Sequence, residues 1–129
     1  MAVRTKSQPP RLGQLCEPMC PSRLVLEHLT SRWGVLAMIA LQTGTHRFSE
    51  LRRTIGGVSE KMLAQTLHAL EADGFVIRVA HPVIPPRVDY SLSPMGEEVA
   101  PLIGALGAWI EKSMPRIERA RAKVRPRPT

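Results

Sequence analysis

Apolar positions in this chain change their period along its length. Residues 1 to about 20 carry no regular stripe and are broken by Pro9, Pro10, Pro18 and Pro21. Leu24, Val25, His28 and Leu29 then fall on one side of a helix that starts at Pro21 or Ser22 and stops at Thr30-Ser31. Arg32 to Gln42, RWGVLAMIALQ, is apolar almost all round, which predicts a buried central helix ended by Gly44. Thr45-His46-Arg47 lead through a short strand or turn into a helix over Ser49 to Ile55. Ser49 is its expected N-cap, Leu51 and Ile55 face inward, and Arg52 and Arg53 face outward. Gly56-Gly57 supply the positive φ of a sharp turn, and Val58 plugs the corner.

The next helix, Ser59 to Asp73, is two-sided. Ser59 caps it and Glu60 suits the positive end of its dipole. Leu63, Thr66, Leu67 and Leu70 make one face; Lys61, Ala64, Gln65 and His68 make the opposite one. Gly74 ends the helix as a left-handed cap. Phe75 to His81 and Val88 to Leu92 alternate as paired strands do, around a stiff Pro82-Val83-Ile84-Pro85-Pro86 tip. Arg78 and Arg87 bracket this hairpin. Ser93-Pro94 restarts a helix, predicted to run to about Ser113 and to kink at Pro101. Val99, Ile103, Leu106 and Ile110 repeat along it, with Leu102 and Trp109 beside them. That stripe is too apolar to stay wet on a small domain that already has a core.

Two short helices across a tight turn, followed at once by a hairpin, predict a mainly α fold with a small β-hairpin, a winged helix-turn-helix. The N- and C-terminal helices are expected to form a dimer interface from Leu24, Val25, Leu29, Val99, Leu102, Ile103, Leu106, Trp109 and Ile110. The alternative for that stripe is packing onto the same chain. In such a fold the second helix fits the DNA major groove and the hairpin reaches the neighbouring backbone. Gln65 suits adenine, Lys61 guanine or phosphate, and Ala64 a thymine methyl. Ser59, His68, Arg52, Arg53, Arg78 and Arg87 complete the expected DNA-binding set. The bland alternative is an ordinary wet helix face.

Length and charge narrow the class. The 129 residues hold one domain with short tails: an arm over 1–19, the domain over 20–113 and a basic tail over 114–129. Aromatics are only 4% of the chain, so the core must be aliphatic. A net charge of +7 points to a polyanionic partner, of which double-stranded DNA is the usual one. Arg116, Arg119, Arg121, Lys123, Arg125 and Arg127 crowd the C-terminus, either as a solvated tail or as a phosphate contact. No apolar run suits a membrane span or a signal peptide, so the expected location is cytoplasmic.

From Cys20 to about Lys112 the chain resembles the HxlR-type family of winged-helix transcriptional regulators. The resemblance rests on Cys20-Pro21, Arg32-Trp33, RFSELRR over Arg47 to Arg53 and VSEKML over Val58 to Leu63. It continues with LEADGFVIR over Leu70 to Arg78 and, most specifically, PPRVDYSLSPMG over Pro85 to Gly96. It implies a homodimer on a palindromic operator, repressing or activating transcription. Ser59, Lys61, Gln65 and His68 would lie in the groove, Arg78 and Arg87 would serve the wing, and Arg52 or Arg53 the backbone. The chain departs from the family pattern at Ala64, where a hydroxyl residue is frequent, at His68, often Arg, and at Arg32, often Lys.

Cys16 and Cys20 are the two cysteines. A zinc site would need ligands that the sequence does not place near them, so neither metal nor cofactor is expected. Cys20 matches the family's Cys-Pro ahead of the first helix, where some members sense oxidants or electrophiles. A helix N-terminus favours the reactive thiolate. Cys16 is the candidate resolving thiol; the alternative is that Cys20 is simply packed. Other function classes fare worse. An enzyme lacks a phosphate loop, paired carboxylates or a nucleophile beside a base. A winged-helix protein-interaction module fits poorly with the wet, basic helix face. A regulator with a small-molecule inducer held by Trp33, Trp109 and Met114 between dimer helices stays an alternative.

Overall fold

A computed structural model describes residues 15–124. Helix α1 (Pro21–Thr30) and helix α2 (Arg32–Leu41) are separated only by Ser31, whose side chain caps α2 by accepting from Gly34 N at 3.1 Å. Strand β1 (His46–Arg47) enters helix α3 (Phe48–Thr54), and a turn leads to helix α4 (Glu60–Ala72). The hairpin of strands β2 (Val76–His81) and β3 (Arg87–Leu92) precedes the long helix α5 (Pro94–Ala122). The sheet is antiparallel, in the order β1-β3-β2, with His46 opposite Tyr90 and Arg78 opposite Tyr90 on the other side.

The core is aliphatic, as the shortage of aromatics requires. Met38, Leu51, Leu63, Leu67 and Leu70 are its largest fully buried side chains, and Ala37 and Ala100 let helices approach around them. Each buried leucine contributes about 1.5–3 kcal/mol relative to exposure. The α3–α4 corner turns at Gly57, with φ of 87°, while Gly56 keeps a negative φ; one glycine, not the expected pair, supplies the left-handed residue. Val58 is buried beneath that corner. Gly74, also at φ 87°, ends α4 and turns the chain directly into the wing.

Two helix boundaries differ from the sequence expectation. Helix α3 starts early: Arg47, two positions before the expected Ser49, is the N-cap, and the carboxylate of Glu50 accepts its backbone N–H at 3.1 Å. Ser49 therefore lies inside the helix. Helix α5 runs nine residues past Ser113, to Ala122, carrying Pro101 and Pro115 within it. Arg116, Arg119 and Arg121 are thus helical, and Arg125 and Arg127 lie outside the described residues. Of the expected arm, residues 1–14 lie outside the described residues. At 1.5 Å per residue α5 is about 44 Å long. Among the described residues no single helix is long and apolar enough to cross a membrane.

One polar contact ties α1 to the end of α4. His28 Nδ1 on α1 lies 2.5 Å from Asp73 Oδ2, the C-cap of α4, and both side chains are largely covered. The end of α4 is therefore anchored by a hydrogen bond as well as by leucines.

Candidate nucleic-acid interface

Helix α4 is held from behind. Leu63, Leu67 and Leu70 are buried, and Ser59 Oγ accepts the Met62 backbone N–H at 3.1 Å, fixing the first turn. Thr66, expected on the inward face, is half-buried and spends its hydroxyl on the Met62 carbonyl at 2.7 Å. On the other side Lys61, Ala64, Gln65 and His68 are all exposed. Lys61, Gln65 and His68 follow at i, i+4 and i+7, so they share one face. Among the described residues none of those three side chains is engaged in a hydrogen bond or ion pair. The face is polar and unspent. Met62, 42% exposed beside it, adds an apolar contact that the sequence pattern did not single out.

The wing divides its arginines between its two faces. Arg78 pairs with Tyr90 across the strands and, with Ala64, His68 and Glu71 of α4, lines a cleft between helix and hairpin. It joins no ion pair with a described residue. Arg87 lies on the opposite face and is occupied. Its Nε donates to Asp89 Oδ1 and its Nη2 to Asp89 Oδ2, both at 3.1 Å, while His81 Nε2 lies 2.9 Å from the same Oδ2. These bonds, Arg87's first, hold the Asp89 carboxyl below its usual range despite partial burial, and they raise Arg87 in return. Sequence reasoning placed both arginines on one hairpin but missed Asp89. The signal was there, since residues two apart on a strand share a face.

Arg52 and Arg53 flank the helix-turn-helix corner, in a cleft with Phe48, Ser49, Ser59 and Glu60. Arg52 Nη1 donates to Glu60 Oε1 at 3.1 Å, but both side chains are well exposed. An exposed pair of this kind is worth about 0–1 kcal/mol, so a phosphate can displace the carboxylate.

The residues expected at a dimer interface fall into two sets. Val25, Leu29, Val99 and Ile103 are half-buried and pack on the chain's own core. They face inward because α1 and α5 both lie against α2. Leu24, Leu102, Leu106, Trp109 and Ile110 stay exposed, with Leu102 at 71% and Trp109 at 55%; Leu26, at 43%, joins them unforeseen. Trp33 packs on the core near Gly57 with Arg32 stacked over its ring, whereas Trp109 is wet, so the two do not form a ligand pocket inside one chain.

Cys16 and Cys20 are both free thiols, Cys16 exposed and Cys20 half-exposed. Cys20 is the N-cap of α1. A hydrogen bond from Ser22 lowers its thiol pKa most, partial burial opposes this, and the backbone at Ser22 and Arg23 lowers it further. Among the described residues no cluster of His, Cys, Asp and Glu could hold a metal.

Comparison with known proteins agrees with this geometry. The HxlR-like helix-turn-helix family matches residues 28–118. The chain is 59% identical over 117 residues to the uncharacterized HTH-type transcriptional regulator YtfH of Escherichia coli K12, covering 91% of this chain and 93% of that one. The solved structure of the transcriptional regulator ytfH from Salmonella typhimurium superposes with a TM-score of 0.81 at 59% identity, over 83% of this chain and 96% of that one. The redox regulator HypR, in its reduced form, superposes at 0.70 and 30% identity, over 77% of this chain and 98% of that one. The wet polar face on a leucine-anchored helix, the adjoining wing and these likenesses agree: the chain belongs to the HxlR family of winged helix-turn-helix transcriptional regulators, which bind DNA and are not enzymes.

Proposed function

We propose that this chain works as a homodimeric repressor on a palindromic operator, with one α4 in the major groove of each half-site. The observation that carries this reading is the unspent polar face of α4 opposite a fully buried leucine face. Lys61, Gln65 and His68 read base edges, Ala64 and Met62 touch thymine methyls, and Arg78 with Arg52 and Arg53 grip phosphates. Arg87 serves the wing only after exchanging Asp89 for phosphate. The exposed residues of α1 and α5 cover one another across the two-fold axis. Half-sites then lie about one duplex turn, roughly 34 Å, or a small multiple apart. Footprinting and fluorescence anisotropy on the region upstream of the protein's own gene test this. Two symmetric protections are expected, and Lys61→Ala with Gln65→Ala should abolish preference over random duplex. Equal binding of all sequences by the wild type would refute operator recognition.

A second activity is favoured by Cys20. Its thiol sits at a helix N-terminus with a lowered pKa, and HypR, a similar protein, is a redox regulator. Oxidation of two such thiols forms one disulfide and passes two electrons and two protons to the oxidant. Joining protomers there, or joining Cys20 to Cys16, would shift α1 and thereby α4 through His28 and Asp73. Diamide should weaken operator binding by wild type and leave Cys20→Ser unaffected. An identical response from both proteins would remove Cys20 from the mechanism.

A further inference from the structure

The wing tip carries an apolar point that the arginine contacts leave unused. Ile84 is 100% exposed and Val83 51% exposed, between Pro82 on one side and Pro85 and Pro86 on the other. Single exposed apolar residues are common, so exposure by itself decides nothing. The surroundings here are more specific. The three prolines have no N–H, and the Val83 N–H is spent on the His81 carbonyl at 2.9 Å. The tip thus offers neither side-chain donors nor charge, so its side chains can neither read base edges by hydrogen bonds nor neutralise phosphate. It is stiff, so burying it costs little conformational entropy.

Its position limits what can cover it. The base of the hairpin lines one cleft with Ala64 and His68 of α4, so the tip is carried on the same body as the groove face. A six-residue strand spans about 20 Å at roughly 3.3 Å per residue. Half a turn of duplex is about 17 Å. A hairpin rooted beside a major-groove helix therefore reaches the adjacent minor groove. Arg87, just behind the tip, supplies a cation for the backbone there once it exchanges Asp89 for phosphate.

Resting on the DNA-binding reading above, we infer that Ile84, with Val83 beside it, is an apolar wedge that enters the minor groove and partly unstacks one base step at each flank of the operator. Apolar side chains inserted between base steps kink DNA, and pyrimidine–purine steps yield most easily. The wing thereby selects TA or CA steps without hydrogen bonding to them.

The test uses the intact protein and duplexes that it selects from a random-sequence library, with 2-aminopurine placed at the step that the wing protects. Wild type should raise the fluorescence several-fold, and Ile84→Met should preserve the rise. Ile84→Ser should abolish it, lose the enrichment for flexible steps and weaken binding by about tenfold. Ile84 touches nothing, so all three proteins should melt alike. Wild-type binding with no fluorescence rise, or an undiminished rise with Ile84→Ser, overturns the wedge while leaving DNA recognition intact. A changed oligomeric state of Ile84→Ser with unaltered DNA signals would make the tip a protein contact and overturns it as well. Failure of wild type to enrich any duplex removes both the wedge and the reading beneath it.

Discussion

Helices α4 and α5 both leave one side in water, but the two wet sides have opposite chemistry. On α4 the exposed face is Lys61, Gln65 and His68, and the buried face is leucine. On α5 the exposed residues include Leu102, Leu106, Trp109 and Ile110, while Val99 and Ile103 turn inward to the core. Exposure alone therefore does not mark the DNA-binding surface. A polar face that costs nothing to leave solvated can wait for a ligand whose base edges match it. An apolar face of that size favours permanent cover, and in the proposed dimer a second copy of the same helix would supply it symmetrically.

The comparison breaks most visibly on α5. Leu106→Asp should yield monomers by sedimentation and weaken operator binding by about a hundredfold or more, because each half-site is then bound alone. A dimeric variant would place the interface elsewhere. On α4 the two faces should separate by assay. Leu67→Ala should cost about 2–5 kcal/mol of stability in denaturant unfolding. Gln65→Ala should change stability by less than about 0.5 kcal/mol yet cost about 1–3 kcal/mol of discrimination at one base position.

The wing sharpens the contrast further. Arg78→Ala should lower the salt slope of DNA binding by about one, and Arg87→Ala by less, because Asp89 already holds its guanidinium. The Asp89 carboxyl is held below its unfolded value, near 3.9, by Arg87 and His81. Its contribution to hairpin stability is complete above that value and disappears as the pH falls through the lower native one. Amide protection at Val79 and Asp89 should decline from about pH 4 downward in wild type, and Asp89→Asn should lack that dependence.

Much of this arrangement was legible in the residues. The 3.6-residue spacing of Leu63, Leu67 and Leu70 separates the two faces of α4, and Ser59 and Gly74 mark its ends. Elsewhere local signals competed. Ser49 has the chemistry of an N-cap, but Glu50 reaches back to the Arg47 N–H, and β1 pairing holds Arg47 extended, so α3 begins earlier. The helix expected to end near Ser113 carries on through Pro115 to Ala122, although a residue before proline disfavours the helical region. Which of the α5 apolar residues face inward was beyond periodicity, because Val99, Ile103, Leu106 and Ile110 form one stripe on an isolated helix. The position of α2 divides them. Pairing Arg87 with Asp89 needed strand register, and finding Arg78 beside His68 needed the packing of hairpin on helix.

A photocrosslinking amino acid placed at position 65 or at position 106 of the intact protein, irradiated with its operator duplex, tests the two faces in one experiment. The probe at 65 should attach to DNA, and the probe at 106 to a second copy of the chain. A probe at 65 that attaches only to protein, or one at 106 that attaches to DNA, would contradict the assignment of these faces.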